Sequence, residues 1–256
     1  IHLAGKAHDT RNISDSNSYF EINTELTQKI YDYFLKSSSK KFIFFSSVKA
    51  AADNIFDIIL KEDVIPKPKT PYGISKLLAE KYILKKLKPE KNIYILRPCM
   101  IHGSGNKGNF NLLFNIIKNR VPWPLGLFDN KRSFCSIDNL CFVINELIFQ
   151  KPVPSGIYNL SDDKPISTND LVKLISHTLK IKVRIWNIPI KLVKLISKMG
   201  DYISLPLNSE RLNKLSESYV VSNKKIKKAL ALEKMPFTTQ EGLIKTIKSL
   251  KNASKF

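Results

Sequence analysis

The chain has 256 residues, 43% hydrophobic and 25% charged, which fits one large domain, or one and a half, of an ordinary globular protein. Its net charge of +20 comes from lysines scattered along the whole chain; arginine is confined to Arg11, Arg97, Arg120, Arg132, Arg184 and Arg211. That argues against a nucleic-acid binder, which concentrates charge on one face, and leaves compositional bias or steering of anionic substrates.

The opening "IHLAG" reads as a buried strand closed by a glycine turn. A helix is expected from about Ser16 to Lys36, amphipathic through Tyr19, Ile22, Leu26, Ile30 and Tyr33. "KKFIFFSS" is a strand whose continuous apolar run predicts cover on both faces, as in a parallel sheet. The proline-rich loop "KEDVIPKPKTP" leads into a helix that begins "TPYGISKLLAEKYI", with Tyr72 and Lys76 one turn apart on the same face. "NIYILRP" is a further buried strand, stopped by Pro98. The glycine-rich "GSGNKGNF" then precedes a helix over 110–119. "GIYNLSDD" holds a short strand, and "STNDLVKLISHTLK" a helix capped by Ser167 or Thr168. "IWNIPIKLVKLISKMGDYISL" carries Lys191, Lys194 and Lys198 too often for a membrane span. It reads as an amphipathic helix against a core or a membrane surface, with the core preferred. No signal peptide is visible. Cys99, Cys135 and Cys141 form no CxxC, and the four histidines show no ligand spacing, so no metal and a reducing, cytoplasmic setting are expected.

Strand and helix patterns alternate through the first half, which predicts a doubly wound parallel sheet with ligands at the carboxyl ends of its strands. Ser46 and Ser47 end one such strand, and Arg97 and Pro98 another. A lysine beside a tyrosine favours the phenolate, so Lys76 is expected to lower the Tyr72 pKa. Such a tyrosine exchanges a proton with a sugar hydroxyl or carbonyl while a nicotinamide takes hydrogen from carbon.

These segments, in this order, resemble an extended short-chain dehydrogenase/reductase of the NAD-dependent epimerase/dehydratase family. The matching stretches are "IHLAG", "EINTELT", "FFSSVK", "PYGISKLLAE", "LRPCMIHGSGNKGNF", "KRSFCSIDNL" and "GIYNLSDD". The resemblance implies that Tyr72 is the acid/base, that Lys76 holds the nicotinamide ribose, and that Ser47 contacts the substrate oxygen with Ser46 beside it. It places Ala4, Gly5, Asn23, Arg97 and Pro98 against the cofactor, NAD with NADP left open. It places Lys49, Asn109, Gly126 and Arg132 toward a UDP-sugar, the arginine on its diphosphate. Dehydratases of the family carry Thr-Asp-Glu where this chain has Ser47, Val48 and Lys49, so the resemblance points instead to a relative of UDP-glucose 4-epimerase. The expected activity is epimerisation or keto-reduction at C4 for surface polysaccharide synthesis, in a homodimer.

The resemblance also exposes a gap. "IHLAG" matches the fourth strand of the family, and no GxxGxxG turn precedes it. About 60 residues, two βαβ units, are expected upstream. The expected architecture is therefore an α/β, doubly wound Rossmann-type sheet, N-terminally truncated. A partial NAD(P)-binding domain would span 1–120, and a smaller mixed substrate-binding region 121–256 with segments returning to the sheet. The sequence as a piece of a longer enzyme is the first expectation, with weak dinucleotide binding by residues 1–256 alone. The alternative is a non-catalytic remnant that binds nucleotide sugar or a partner.

Overall fold

A computed structural model describes residues 1–7, 16–55, 58–106, 109–149, 153–203 and 208–253. Helix α1 (Asn17–Phe20) runs through a π turn (Glu21–Glu25) into α2 (Leu26–Lys36). Strand β1 (Lys41–Phe45) follows, then a 3-10 turn (Val48–Ala50), β2 (Ile59–Leu60) and α3 (Pro71–Lys85). Next come β3 (Asn92–Pro98), β4 (Met100–His102), α4 (Asn109–Lys118), β5 (Phe134–Ser136) and α5 (Ile137–Phe149). The chain continues with β6 (Gly156–Leu160), α6 (Thr168–Leu179), α7 (Ile190–Ile203) and α8 (Ser209–Ser216). It closes with β7 (Val220–Val221), α9 (Lys224–Ala229) and α10 (Thr239–Ala253).

The central sheet is parallel in the order β1-β3-β6. Alternation along its strands sorts the core into two layers. Phe42, Phe44, Ile93 and Ile95 pack on one face with Tyr31 and Phe34 of α2 and Ala79 and Ile83 of α3. Ile43, Tyr94, Leu96, Tyr158 and Leu160 pack on the other with Leu140, Val143 and Leu147 of α5. This two-sided cover is what the run "FIFF" predicts. A second core joins α4, α6 and α10 around Phe134, Trp123 and Leu125. Two parallel strand pairs, β2-β7 and β4-β5, tie the halves together.

Two expectations need correction, and two others are refined. The opening segment touches β1 through His2 alone, whose N–H donates to Ile43 O and whose carbonyl accepts from Phe45 N, while Ile1 and Leu3 are exposed. It contributes a single bridge rather than a buried strand. The helix expected over 16–36 is interrupted by the π turn, which buries Asn23 and Thr24. Helix α7 buries only a narrow face against the core, through Val193, Ser197 and Gly200. Ser167, not Thr168, caps α6, accepting from Asp170 N.

Candidate active site

The site gathers where β1 and β3 end. Beyond β1, Ser47 adopts extended backbone and its Oγ accepts from Lys49 N at 3.2 Å, opening the 3-10 turn. Helix α3 begins opposite. Thr70 caps it by accepting from Gly73 N at 3.2 Å, and Pro71 occupies the first turn, where its missing N–H costs nothing. Asp53 anchors the cap, accepting from Thr70 Oγ1 at 2.8 Å and from Thr70 N at 3.1 Å. Gly73 permits the approach of helix to turn. A Cβ there would lie 2.5 Å from Lys49 O and 2.9 Å from Pro68 Cβ. Tyr72 is thereby set near Ser47, whose hydroxyl acts to lower the phenol pKa, and the Tyr19 ring meets it edge-on at 6.2 Å.

One turn on, Lys76 is almost fully buried; its Nζ donates to Phe45 O at 2.8 Å and lies 5.0 Å from the Phe44 ring centre. Burial pushes its pKa down to about 8, against the pull of Glu80. Burial also raises the Tyr72 phenol above its ordinary pKa, opposed by the Ser47 hydrogen bond, and Lys76 is not among the causes. The expectation that Lys76 lowers the Tyr72 pKa is therefore corrected. The ammonium is directed to the end of β1, and desolvation decides the phenol.

The opening segment passes over this lysine. A Cβ at Gly5 would meet Lys76 Nζ at 2.8 Å and Asn23 Oδ1 at 3.1 Å. Ala4 and Gly5 therefore present exposed backbone beside the ammonium, with no side chain between. Asn23 holds the segment there: Lys6 N donates to its Oδ1 at 2.8 Å, and its Nδ2 donates to Lys6 O and to Ser75 Oγ, each at 3.0 Å.

Beneath the site lies a network that sequence reasoning missed. Glu80, fully buried, accepts from Ser46 Oγ at 2.5 Å, Arg97 Nε at 2.8 Å and Arg97 Nη2 at 2.5 Å. Ser46 and Arg97 thus point into the protein, clamped by a carboxylate one turn beyond Lys76. The spacing Tyr72, Lys76, Glu80 on one helix face was a readable signal for it. His2 was missed as well. Its Nε2 lies 2.8 Å from Thr27 Oγ1, and burial, with the Lys76 charge second, lowers its pKa to about 4.

The remaining sequence candidates lie along a second line. Lys49 Nζ donates to Asp53 O and stands 4.5 Å over the Tyr219 ring. Tyr219 Oη donates to Ala52 O at 2.6 Å, and its backbone pairs with Arg132. Tyr219 therefore links the turn after Ser47 to Arg132. The Arg132 Nε donates to Glu217 O at 2.9 Å, and burial lowers its guanidinium pKa against the Glu217 charge. Arg132 lines a small pocket with Phe110, the neighbour of Asn109, whose side chain lies outside the described residues. Gly126 is apart from these; a Cβ there would come within 2.3 Å of Asn187 Oδ1 and 2.9 Å of Trp186 O, so it serves close packing against 185–187.

A model of the NAD dependent epimerase/dehydratase family matches residues 1–161, the stretch that holds β1, α3 and β3. The chain is 29% identical over 259 residues to UDP-glucose 4-epimerase of Vibrio cholerae, covering 99% of this chain and 77% of that protein. It is 26% identical over 262 residues to N-acetyl-alpha-D-glucosaminyl-diphospho-ditrans,octacis-undecaprenol 4-epimerase of Escherichia coli O157:H7, covering 96% and 75%. The fold matches that of UDP-glucuronic acid 4-epimerase from Bacillus cereus in complex with NAD at a TM-score of 0.72 and 18% identity, over 98% of this chain and 73% of that one.

Proposed function

The chain belongs to the NAD-dependent epimerase/dehydratase family, and from that premise we propose that it catalyses reversible oxidation and reduction at C4 of a UDP-linked hexose, inverting that carbon. The observation that carries this reading is the meeting of Tyr72 with Ser47 beside a buried Lys76. Support also comes from the relatives, two of which are named 4-epimerases of sugars on diphosphate carriers.

The residues present fit the nicotinamide ribose of a dinucleotide. Gly5 brings the bare backbone of the opening segment against Lys76 Nζ, closer than a side chain at residue 5 would allow. Lys76 uses one N–H on Phe45 O and has two more to offer a ribose hydroxyl. Asn23 keeps the backbone of the opening segment in place, and Pro98 ends the strand on the same side. Such a cofactor, when bound, supplies the reversible two-electron oxidation at C4.

The chain's own residues handle the proton. Ser47 Oγ holds the C4 oxygen by a hydrogen bond. Tyr72 takes the hydroxyl proton as the carbonyl forms and returns it as the hydroxyl is restored. Burial raises the phenol pKa and the Ser47 hydrogen bond opposes it, so proton uptake by Tyr72 draws on its phenolate fraction, which grows with pH. Arg132, which lines a small pocket, and Asn109 receive the diphosphate, Lys49 stands at the sugar end, and Gly126 borders the nucleoside. The product serves surface polysaccharide synthesis.

Replacing Tyr72 by Phe removes the proton carrier and little volume. In the native protein, Tyr72→Phe is expected to cut interconversion of UDP-glucose and UDP-galactose by a factor on the order of 100 or more. Calorimetry should find UDP-sugar affinity within about threefold of wild type. Full turnover by the variant would remove Tyr72 from the mechanism. A second reading keeps the C4 chemistry and changes the carrier to a polyprenyl diphosphate, favoured by the relative of that specificity. Turnover of a polyprenyl-diphosphate-linked hexosamine, with UDP-sugars inert, would select it.

A further inference from the structure

Helix α7 carries three stripes. Val193, Ser197 and Gly200 are buried and fasten it to the protein. Leu192, Leu195, Ile196 and Met199 form a second stripe, yet they are 39% to 56% exposed. Lys191, Lys194 and Lys198 form a third, exposed and on the side of the apolar stripe away from the core. Trp186, just before the helix, is also half exposed. Four large apolar side chains in one solvent-facing row are more than the scattered singles of an ordinary surface.

We propose that this face of α7 docks on the surface of an anionic lipid bilayer. The apolar row enters the headgroup boundary, and the three lysines beside it reach the lipid phosphates, their alkyl stems lying along the apolar surface. Charge complementarity selects this occupant over a protein. The helix has no acid in its first turn, and its lone acid, Asp201, accepts from Ser209 N at 2.9 Å. The chain as a whole carries +20, which adds attraction to an anionic leaflet. Crossing is excluded for α7 by length: its 14 residues extend about 21 Å, short of a hydrocarbon core of about 30 Å. The helix lies on the membrane. This inference does not depend on the C4 chemistry, because α7 contains none of the residues assigned to it.

The test is co-sedimentation of the native protein with phosphatidylcholine vesicles and with vesicles that also contain phosphatidylglycerol. Binding to the anionic vesicles is expected, weakening with added salt, and little binding to the neutral ones. Leu195→Glu with Met199→Glu alters two side chains that are already exposed, so the fold should survive, checked by circular dichroism. Vesicle binding should then fall about tenfold or more, while turnover of a soluble UDP-sugar is unchanged. Lys191→Gln with Lys194→Gln and Lys198→Gln should abolish the preference for anionic lipid. Failure of the wild type to sediment with anionic vesicles overturns the proposal, as does equal binding by the glutamate variant. If the wild type is a dimer that the glutamate variant splits and vesicles bind neither, the stripe is a subunit interface and the proposal is wrong.

Discussion

Lys76 sets a cost that can be measured. Its ammonium is buried, and its pKa in the folded protein falls from 10.5 to about 8. Below pH 8 the folded state bears the full penalty of holding that charge out of water, about 3 kcal/mol at the usual conversion. Between about pH 8 and 10.5 the folded protein releases the proton before the unfolded chain does, and the penalty fades. Lys76→Met removes the titration. Urea unfolding at pH 7 and pH 10 should therefore show the stability difference moving in favour of wild type by about 2 to 3 kcal/mol as pH rises. Parallel profiles would mean the ammonium is better solvated than its burial implies. His2, a neutral ring packed beside the same lysine with a pKa near 4, titrates at the acid end and leaves this window undisturbed.

Helix α3 shows how one element assembles the site. Its cap, its first-turn proline and the row Tyr72, Lys76, Glu80 are all local features, readable in "TPYGISKLLAE". The need for glycine at 73 is not local, because it arises from Lys49 O on the turn after β1. Helix propensity alone makes Gly73→Ala stabilising by about 1 kcal/mol. A Cβ 2.5 Å from a backbone oxygen predicts the opposite sign, a loss of about 2 kcal/mol, with kcat/KM falling as Tyr72 is pushed from Ser47. Thermal unfolding and initial rates on the purified variant decide between the two. The Glu80 clamp follows the same logic. Its spacing was legible, but its partners Ser46 and Arg97 come from two strand ends that only the parallel pairing of β1 with β3 brings together.

Across the whole molecule the lysine excess divides into two uses. Some lysines satisfy backbone: Lys91 Nζ donates to Ser37 O and Ser39 O, and Lys41 Nζ to Leu147 O and Ile148 O at the end of α5. Others pair with acids, as Lys86 with Asp32 and Lys245 with Asp138, and the surplus leaves the chain at +20. The field of such a charge raises the encounter rate of anionic substrates, and salt screens it. If a nucleotide sugar is the substrate, kcat/KM should fall severalfold between low salt and about 0.5 M NaCl, where the Debye length shrinks to a few ångströms, while kcat holds. A flat profile would leave the charge without a part in capture.

What the sequence determined by itself is whatever depends on neighbours along the chain. That includes the apolar strands "FIFF" and "YIL", a cap at 167 or 168, the order of strand and helix, and the Tyr72–Lys76 face, from which the Rossmann-type fold and the family resemblance follow. Tertiary structure decided what depends on distant neighbours. Burial raises the Tyr72 pKa where adjacency to Lys76 predicts a lower one. A chain passing at Gly5 frames the ammonium, and Glu80 joins two strand ends. Helix α7 turns its widest apolar face to solvent because its smallest residues make the contact with the core. Periodicity specifies that a helix has faces; which face is buried depends on the surface it meets.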